Sequence, residues 1–115
     1  MWLLDAAVRP PADVLGQQGW VRHAFQNAFW QLLHASSLEA GLVDTMRRGS
    51  DTDTNGAIAG ALLGVVLGRA QIPAQWRQMV LNCRAAPTHP LALQPRPALY
   101  WPVDVKQLAE RLMAQ

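Results

Sequence analysis

The 115-residue sequence has little charge, a single cysteine and no long uninterrupted apolar run. Charged residues make up only 16% of the chain and hydrophobic residues 50%, which excludes an intrinsically disordered protein. Cys83 has no second cysteine to pair with, so an intrachain disulfide is excluded and nothing requires an oxidising compartment. The longest uncharged stretch, 54–68, is shorter than the roughly 20 residues of a membrane-spanning helix. These absences predict one folded domain at most, with no membrane partner.

Positive charge is also sparse, although the sequence pI is near 9.3. The formal net charge is only +2, and Arg47-Arg48 is the sole adjacent basic pair. Nucleic acid is therefore not an expected partner, because such proteins concentrate basic residues on one face. The first residues lack the basic start and apolar run of a signal peptide, so the expected localisation is cytoplasmic.

No segment alternates apolar and polar residues as a strand does, and the predicted fold class is all-α. After a lead-in with room for a short helix near Asp13, the clearest helical pattern covers 20–34. The predicted apolar face of that helix comprises Val21, Ala24, Phe25, Ala28, Phe29 and Leu32. The predicted polar side comprises Arg22, His23, Gln26, Asn27 and Gln31.

Two further helices flank a short acidic turn, which we define as residues 50–55. Ser36 and Glu39 form a capping-box pattern at the start of the first helix, and Arg47-Arg48 followed by Gly49 indicates its end. The helix after the acidic turn carries glycine at every fourth position: Gly56, Gly60, Gly64 and Gly68. Each interior glycine costs about 1 kcal/mol relative to alanine, so this stripe predicts close approach of another helix or a ligand.

The remaining sequence predicts two more helices separated by a proline-rich, extended segment, 86–102. One helix begins at Ile72-Pro73 and the other is capped by Asp104, with Val103 and Leu108 as a hydrophobic staple. The predicted apolar face of the first comprises Trp76, Met79, Val80 and Cys83, which places the cysteine in the core. The predicted buried stripe of the last comprises Val105, Leu108, Ala109, Leu112 and Met113.

The acidic turn crowds two carboxylates, three hydroxyls and an amide into six residues. Oxygen ligands of this kind suit a hard cation such as Mg²⁺, Mn²⁺ or Ca²⁺. We expect Asp51 and Asp53 to lie on the turn before the next helix begins. At that distance the two carboxylates should repel and raise each other's pKa, a cost that a bound metal removes.

An EF-hand is one alternative for this turn. Asp51, Asp53, Asn55 and Gly56 match loop positions 1, 3, 5 and 6, but Leu62 stands at position 12, where a bidentate glutamate is required. The second alternative is simple helix capping by Thr52, Asp53 or Thr54.

Residues 49–60, Gly-Ser-Asp-Thr-Asp-Thr-Asn-Gly-Ala-Ile-Ala-Gly, resemble the C-terminal metal motif of the ADP-ribosylglycohydrolase family. The resemblance extends to segments 19–21, 38–49 and 72–76, and so covers nearly the whole chain. It implies that residues 1–115 are the C-terminal part of an all-α, multi-helix domain of that family.

The resemblance implies a binuclear Mg²⁺ centre (Mn²⁺ in some members) that hydrolyses ADP-ribosyl glycosidic bonds. Asp51 and Asp53 would be catalytic carboxylate ligands and Thr54 a hydroxyl ligand, while Gly49 and Ser50 would lie against ADP-ribose. The family's other ligands come from an N-terminal motif with adjacent acidic residues, and this sequence has no adjacent acidic pair. The chain therefore carries half of the expected metal site.

Three functional hypotheses follow from that half-site. The chain is half of a hydrolase completed by an N-terminal-half partner, a binder of Mg²⁺ or ADP-ribose without turnover, or a helical interaction module. Helices removed from a larger fold leave apolar faces uncovered, so self-association is also expected. His23 and His34 share a helix without a third ligand, and His89 lies in a loop, so none is expected to bind metal.

Overall fold

A computed structural model describes residues 1–12, 15–16 and 20–114 of the chain, and these residues form helices, turns and loops without a strand. The all-α prediction is confirmed. The α-helices are α1 (Trp2–Val8), α2 (Val21–His34), α3 (Leu38–Arg47), α4 (Thr52–Leu67), α5 (Ala74–Leu81) and α6 (Val105–Met113). They fall into two compact units, Met1–Ile72 and Pro73–Gln115. In the described ranges, no helix combines the length and apolar character needed to cross a membrane.

In the first unit, α4 packs against α2 and α3, and α1 packs against α2. The edge of the Trp2 ring meets Phe25 at 5.9 Å between centroids, and Phe25 in turn meets Phe29 at 4.6 Å. The helix at the start of the chain, α1, was not predicted, and the short helix predicted near Asp13 stays untested. Asp13 itself lies outside the described residues.

The buried face of α2 differs from the predicted one. Ala28 is buried as expected, but Val21 is 70% exposed, and four residues assigned to the polar side are buried. These four are His23, Gln26, Asn27 and Gln31. The buried face was wrongly predicted because hydrophobic periodicity takes account of apolar side chains only. Part of the interface with α3 consists of hydrogen-bonded polar side chains.

Hydrogen bonds between α2 and α3 explain how Asn27 and Gln31 tolerate burial. Gln26 instead donates its Nε2 to the Arg9 carbonyl, at 3.2 Å. Asn27 Nδ2 donates to Thr45 Oγ1 at 3.0 Å, and the Thr45 hydroxyl donates to the Gly41 carbonyl at 2.8 Å. Gln31 Nε2 donates to the Asp44 carboxylate, which also accepts from the Arg48 guanidinium. Burial raises the pKa of Asp44, but the hydrogen bonds from Gln31 and Arg48 outweigh it and hold that pKa below its ordinary value.

The ends of α3 are only partly as expected. Its N-cap is Ser37, whose Oγ accepts a hydrogen bond from the Ala40 N–H at 3.0 Å, so the capping box of Ser36 and Glu39 is wrong by one residue. At the other end, α3 stops at Arg47 and Gly49 adopts a positive φ of 76°. The predicted glycine stop is confirmed.

The glycine stripe of α4 gives close helix contacts along part of its length. Gly56 is buried under the end of the Met46 side chain, and a Cβ at Gly60 would meet Leu42 at 3.4 Å. By contrast, a Cβ at Gly64 would have nothing within 4 Å, and Gly68 lies beyond the helix with φ of 79°. Gly41 of α3 is also closely packed, because its added Cβ would lie 2.8 Å from Leu63 Cδ1 and 3.1 Å from Ala35 Cβ.

The second unit has its predicted helices, but not the predicted buried faces. The proline-rich segment between the helices forms turns and two 3₁₀ helices, Ala98–Tyr100 and Pro102–Asp104, and so is not extended as predicted. Neither α5 nor α6 contains a buried residue, and Cys83 is exposed beyond the end of α5. Asp104 occupies the N-cap position of α6 without a side-chain capping bond. The expected stripe of α6 is exposed because a unit as small as residues 73–115 buries little of its apolar surface.

We expect Gly41→Ala to destabilise the first unit and Gly64→Ala to stabilise it. Both changes gain helix propensity, worth about 1 kcal/mol, but only Gly41→Ala forces a methyl group against Leu63 and Ala35, at a cost of about 1–3 kcal/mol. Urea denaturation measures both free energies of unfolding. A stabilising Gly41→Ala would show that α3 and α4 are not in close contact there.

Candidate functional site

The candidate site begins in the connection between α3 and α4, residues 48–51. Gly49 and Ser50 follow one another in the left-handed region, with φ of 76° and 65°. The Gly49 N–H donates to the Met46 carbonyl at 3.1 Å, and the Thr52 N–H donates to the Ser50 carbonyl at 2.9 Å. A left-handed serine is uncommon, because its Cβ crowds the backbone there. The connection thus turns the chain from the end of α3 directly into α4.

Glycine is required at position 49 both because a side chain would lack room there and because the backbone φ is positive. A Cβ at this position would lie 3.1 Å from Leu15 Cδ2, and it would have to form at a φ that L-residues rarely adopt. The sequence predicted Gly49 as the residue that ends α3, and the family resemblance placed it against the ligand. Leu15 was not predicted, because nothing in its neighbourhood marks it as the residue that packs against the connection.

Asp51 is the N-cap of α4, and Asp53 lies within its first turn. Asp51 Oδ1 accepts the Thr54 N–H at 3.4 Å, and the Asp51 carbonyl accepts the Asn55 N–H at 3.0 Å. The expectation that both carboxylates precede the helix is therefore wrong for Asp53. Capping does occur here, but through Asp51 rather than through Thr52, Asp53 or Thr54, because the helix starts one residue earlier than the capping alternative assumed.

The EF-hand alternative is contradicted by the same helix. An EF-hand loop remains open beyond its central glycine, whereas α4 runs without a break from Thr52 to Leu67. Asn55 and Gly56 lie inside the helix, where they cannot wrap a cation in the EF-hand manner.

The two carboxyl groups lie close enough to interact. A hydrogen bond with Asp51, together with the backbone N–H groups of Thr54 and Asp53, lowers the pKa of Asp53 below its ordinary value. The sequence-based expectation of mutually raised pKa values is therefore wrong for Asp53. Repulsion is outweighed because backbone N–H groups at the start of a helix favour the ionised carboxylate.

This arrangement presents oxygen atoms at the surface beside the positive end of α4. Asp53 and Thr54 are exposed and Asp51 is half-buried, so all three residues border solvent. Such a set of hard oxygen donors can hold Mg²⁺ or Mn²⁺. Across the described ranges, however, no cluster of three or more His, Cys, Asp or Glu side chains is assembled. Both carboxylates of the acidic turn come from one helix end.

The other sequence candidates lie elsewhere. His23 is buried on α2, the Nε2 atom of His34 lies 3.0 Å from the Ala7 carbonyl, and His89 Nδ1 accepts from the Leu91 N–H at 3.2 Å. His34 also stacks on Trp30, with ring centroids 3.9 Å apart. The histidines therefore have packing and loop contacts, and the exposed Cys83 belongs to the other compact unit.

Comparison with known proteins identifies the family of this chain. Residues 2–115 match the family model described as ADP-ribosylglycohydrolase. The chain belongs to the ADP-ribosylglycohydrolase family. A curated protein of Acanthamoeba polyphaga mimivirus, provisionally named an ADP-ribosyl glycohydrolase, is 36% identical over 62 residues. That match covers 50% of this chain and 18% of the viral protein, so the chain spans only a small part of the relative. No solved structure matches.

Removing the Asp51 carboxyl group should raise the pKa of Asp53. In the native chain, Asp53 contributes stability above its unfolded pKa of about 3.9, and that contribution is lost as the pH falls through the lower folded value. We expect Asp51→Ala to move the Asp53 titration upward toward the ordinary range, as followed by ¹³C NMR of the side-chain carboxyl. An unchanged Asp53 titration would mean that the two carboxyl groups do not interact.

Proposed function

We propose that this chain supplies the C-terminal part of a magnesium-dependent site that hydrolyses ADP-ribosyl glycosidic bonds. The observation that carries the proposal is the acidic pair at the start of α4, preceded by two left-handed residues. Asp51, Asp53 and Thr54 would hold Mg²⁺, with Mn²⁺ as a substitute. Gly49 and Ser50 form the turn next to Asp51 and Asp53, and their backbone would lie against the ADP-ribose.

The residues present fit a magnesium ion. The donors are carboxylate and hydroxyl oxygens, and the lowered pKa of Asp53 keeps it ionised at neutral pH. When bound, magnesium supplies positive charge that orients water and ribose hydroxyls at the glycosidic carbon. The chain itself fixes Asp51 through the Thr54 N–H. Leu15 packs where a side chain at Gly49 would lie, so ADP-ribose would approach this connection from the side away from Leu15.

The remaining metal ligands would come from a segment or partner chain outside these 115 residues. The family model and the longer viral relative support this part of the proposal. Exposed apolar side chains on α4 give such a partner, or a second copy of the chain, a surface to cover. Those side chains are Ile58, Val65, Val66 and Leu67.

A non-catalytic role is the second candidate. Its supporting observation is the Asp51 capping bond, which gives that carboxylate a structural purpose without any metal. In this case the chain is a helical module of the family that retains the motif as part of its scaffold, with weak Mg²⁺ or ADP-ribose binding at most.

Calorimetric titration with Mg²⁺ and Mn²⁺, with and without ADP-ribose, separates these roles. Asparagine caps a helix as well as aspartate does, so Asp51→Asn keeps the capping group and removes the charge. We expect Asp51→Asn and Asp53→Asn each to weaken metal binding by about tenfold or more, corresponding to about 1.4 kcal/mol. Asp104→Asn, at the N-cap of α6, is the matched control and should bind as the native chain does.

The outcomes of this titration are distinct. Binding that needs both aspartates and tightens with ADP-ribose supports the hydrolase half-site. Equal binding by the native chain and by Asp51→Asn, or none by a folded chain, favours the scaffold role.

Activity is expected only when the missing ligands are supplied. We expect the chain mixed with an N-terminal part from its family to release ADP-ribose from an ADP-ribosylated substrate, as measured by chromatography. Asp51→Ala or Asp53→Ala should abolish this release. Two folded parts that remain inactive together would refute the proposal of a divided hydrolase.

A further inference from the structure

We infer that a second, separate site between the end of α1 and the start of α2 binds a phosphate group. The site is a cavity of about 200 Å³ whose lining includes Arg9, Trp20, Arg22, His23 and Gln26. It involves neither the acidic pair nor the connection before α4, and so does not depend on the proposed hydrolase function.

The charges around this cavity are unbalanced. Arg9 and Arg22 each donate to a different oxygen of the Asp5 carboxylate, at 3.1 Å in both cases. Among the described residues, one carboxylate thus faces two guanidinium groups, which gives these three side chains a net charge of +1. Each guanidinium has five N–H donors and uses only part of them on Asp5, so donors remain for an anion.

Arg22 is held in place independently of any ligand. Its guanidinium carbon lies 5.9 Å from the centroid of the Trp2 ring and 5.4 Å from that of Trp20. These cation–π contacts and the hydrogen bond to Asp5 hold the Arg22 guanidinium group near the start of α2. A preorganised guanidinium binds an anion at a smaller entropic cost than a freely rotating one.

The start of α2 strengthens the excess of positive charge. The first turn of a helix carries partial positive charge and normally attracts acidic residues. The first turn of α2 contains no acidic residue, and its N-cap, Trp20, makes no side-chain capping bond. Arg22 and His23 stand there instead, at the end of the helix where basic groups are disfavoured. An anion in the cavity would offset this arrangement.

His23 gives an independent indication of a ligand. Only 8% of this residue is exposed, and its buried Nδ1 atom has no hydrogen-bond partner in the structure as described. Leaving a buried polar atom unpaired is destabilising, because its hydrogen bonds to water are lost without replacement. The edge of its ring meets Trp20 at 5.0 Å between centroids, which places the histidine in the wall of the same cavity.

The arrangement favours phosphate over carboxylate. Arg9 at the end of α1 and Arg22 in the first turn of α2 line the cavity from two different helices. A tetrahedral oxyanion accepts from several directions at once, whereas a carboxylate accepts mainly in one plane. Helix N-termini bind phosphate in the same way, through backbone N–H groups and the helix dipole.

Titration with inorganic phosphate at constant ionic strength tests this site. We expect saturable binding by calorimetry, with ¹H–¹⁵N NMR shifts concentrated at Val21–Gln26. Arg22→Gln should weaken binding by about tenfold or more, because it removes a charge-assisted hydrogen bond to the anion. Arg111→Gln on the exposed side of α6 makes the same change in charge and should leave binding unaltered.

A second arginine variant and a second anion complete the experiment. If Arg22→Gln fails to fold by circular dichroism, Arg9→Gln serves instead, because its side chain is 65% exposed. Acetate, titrated in parallel, should bind more weakly than phosphate. The proposal is overturned by non-saturating phosphate binding, by equal binding to the native chain and the cavity variant, or by acetate binding as tightly as phosphate.

Discussion

The close packing of α4 against α3 is the constraint on which the candidate site depends. Only residues 48–51 separate the two helices, and the helices touch at glycine. So short a connection reverses the chain only if its backbone enters conformations that most residues avoid, which is why Gly49 and Ser50 both have positive φ. The position of Asp51 follows from this reversal, and the placement of Asp53 follows from the helix that Asp51 caps.

Some of this architecture could be predicted from the sequence, because local signals determine it. The all-α class, the glycine that ends α3 and the apolar helix after the acidic turn all depend on short-range pattern. The buried face of α2 could not be predicted in that way. Asn27 and Gln31 are buried because Thr45 and Asp44 of another helix receive their hydrogen bonds, and such pairing is invisible to periodicity along one chain.

The candidate site shows the same division. The residue types at Asp51, Asp53 and Thr54 indicated a hard cation, and the family match agrees with the resemblance that singled them out. Their electrostatics could not be predicted, because the pKa of Asp53 depends on backbone N–H groups whose direction is set by where α4 begins. Because α4 begins at Thr52, Asp53 has the Asp51 side chain and these N–H groups beside it, and together they lower its pKa.

The buried polar contact between α2 and α3 has a consequence for how the helices choose their alignment. Apolar surfaces tolerate sliding, since one methyl group replaces another with little penalty. If α2 slid by one turn, Asn27 would lose Thr45 and several buried polar groups would be left unpaired, at about 1–3 kcal/mol each. The contact therefore selects one register of α2 on α3 and rejects neighbouring ones. A polar interface of this kind is less stabilising than an apolar one of the same size. It specifies a single alignment of α2 and α3, the two helices on which α4 packs.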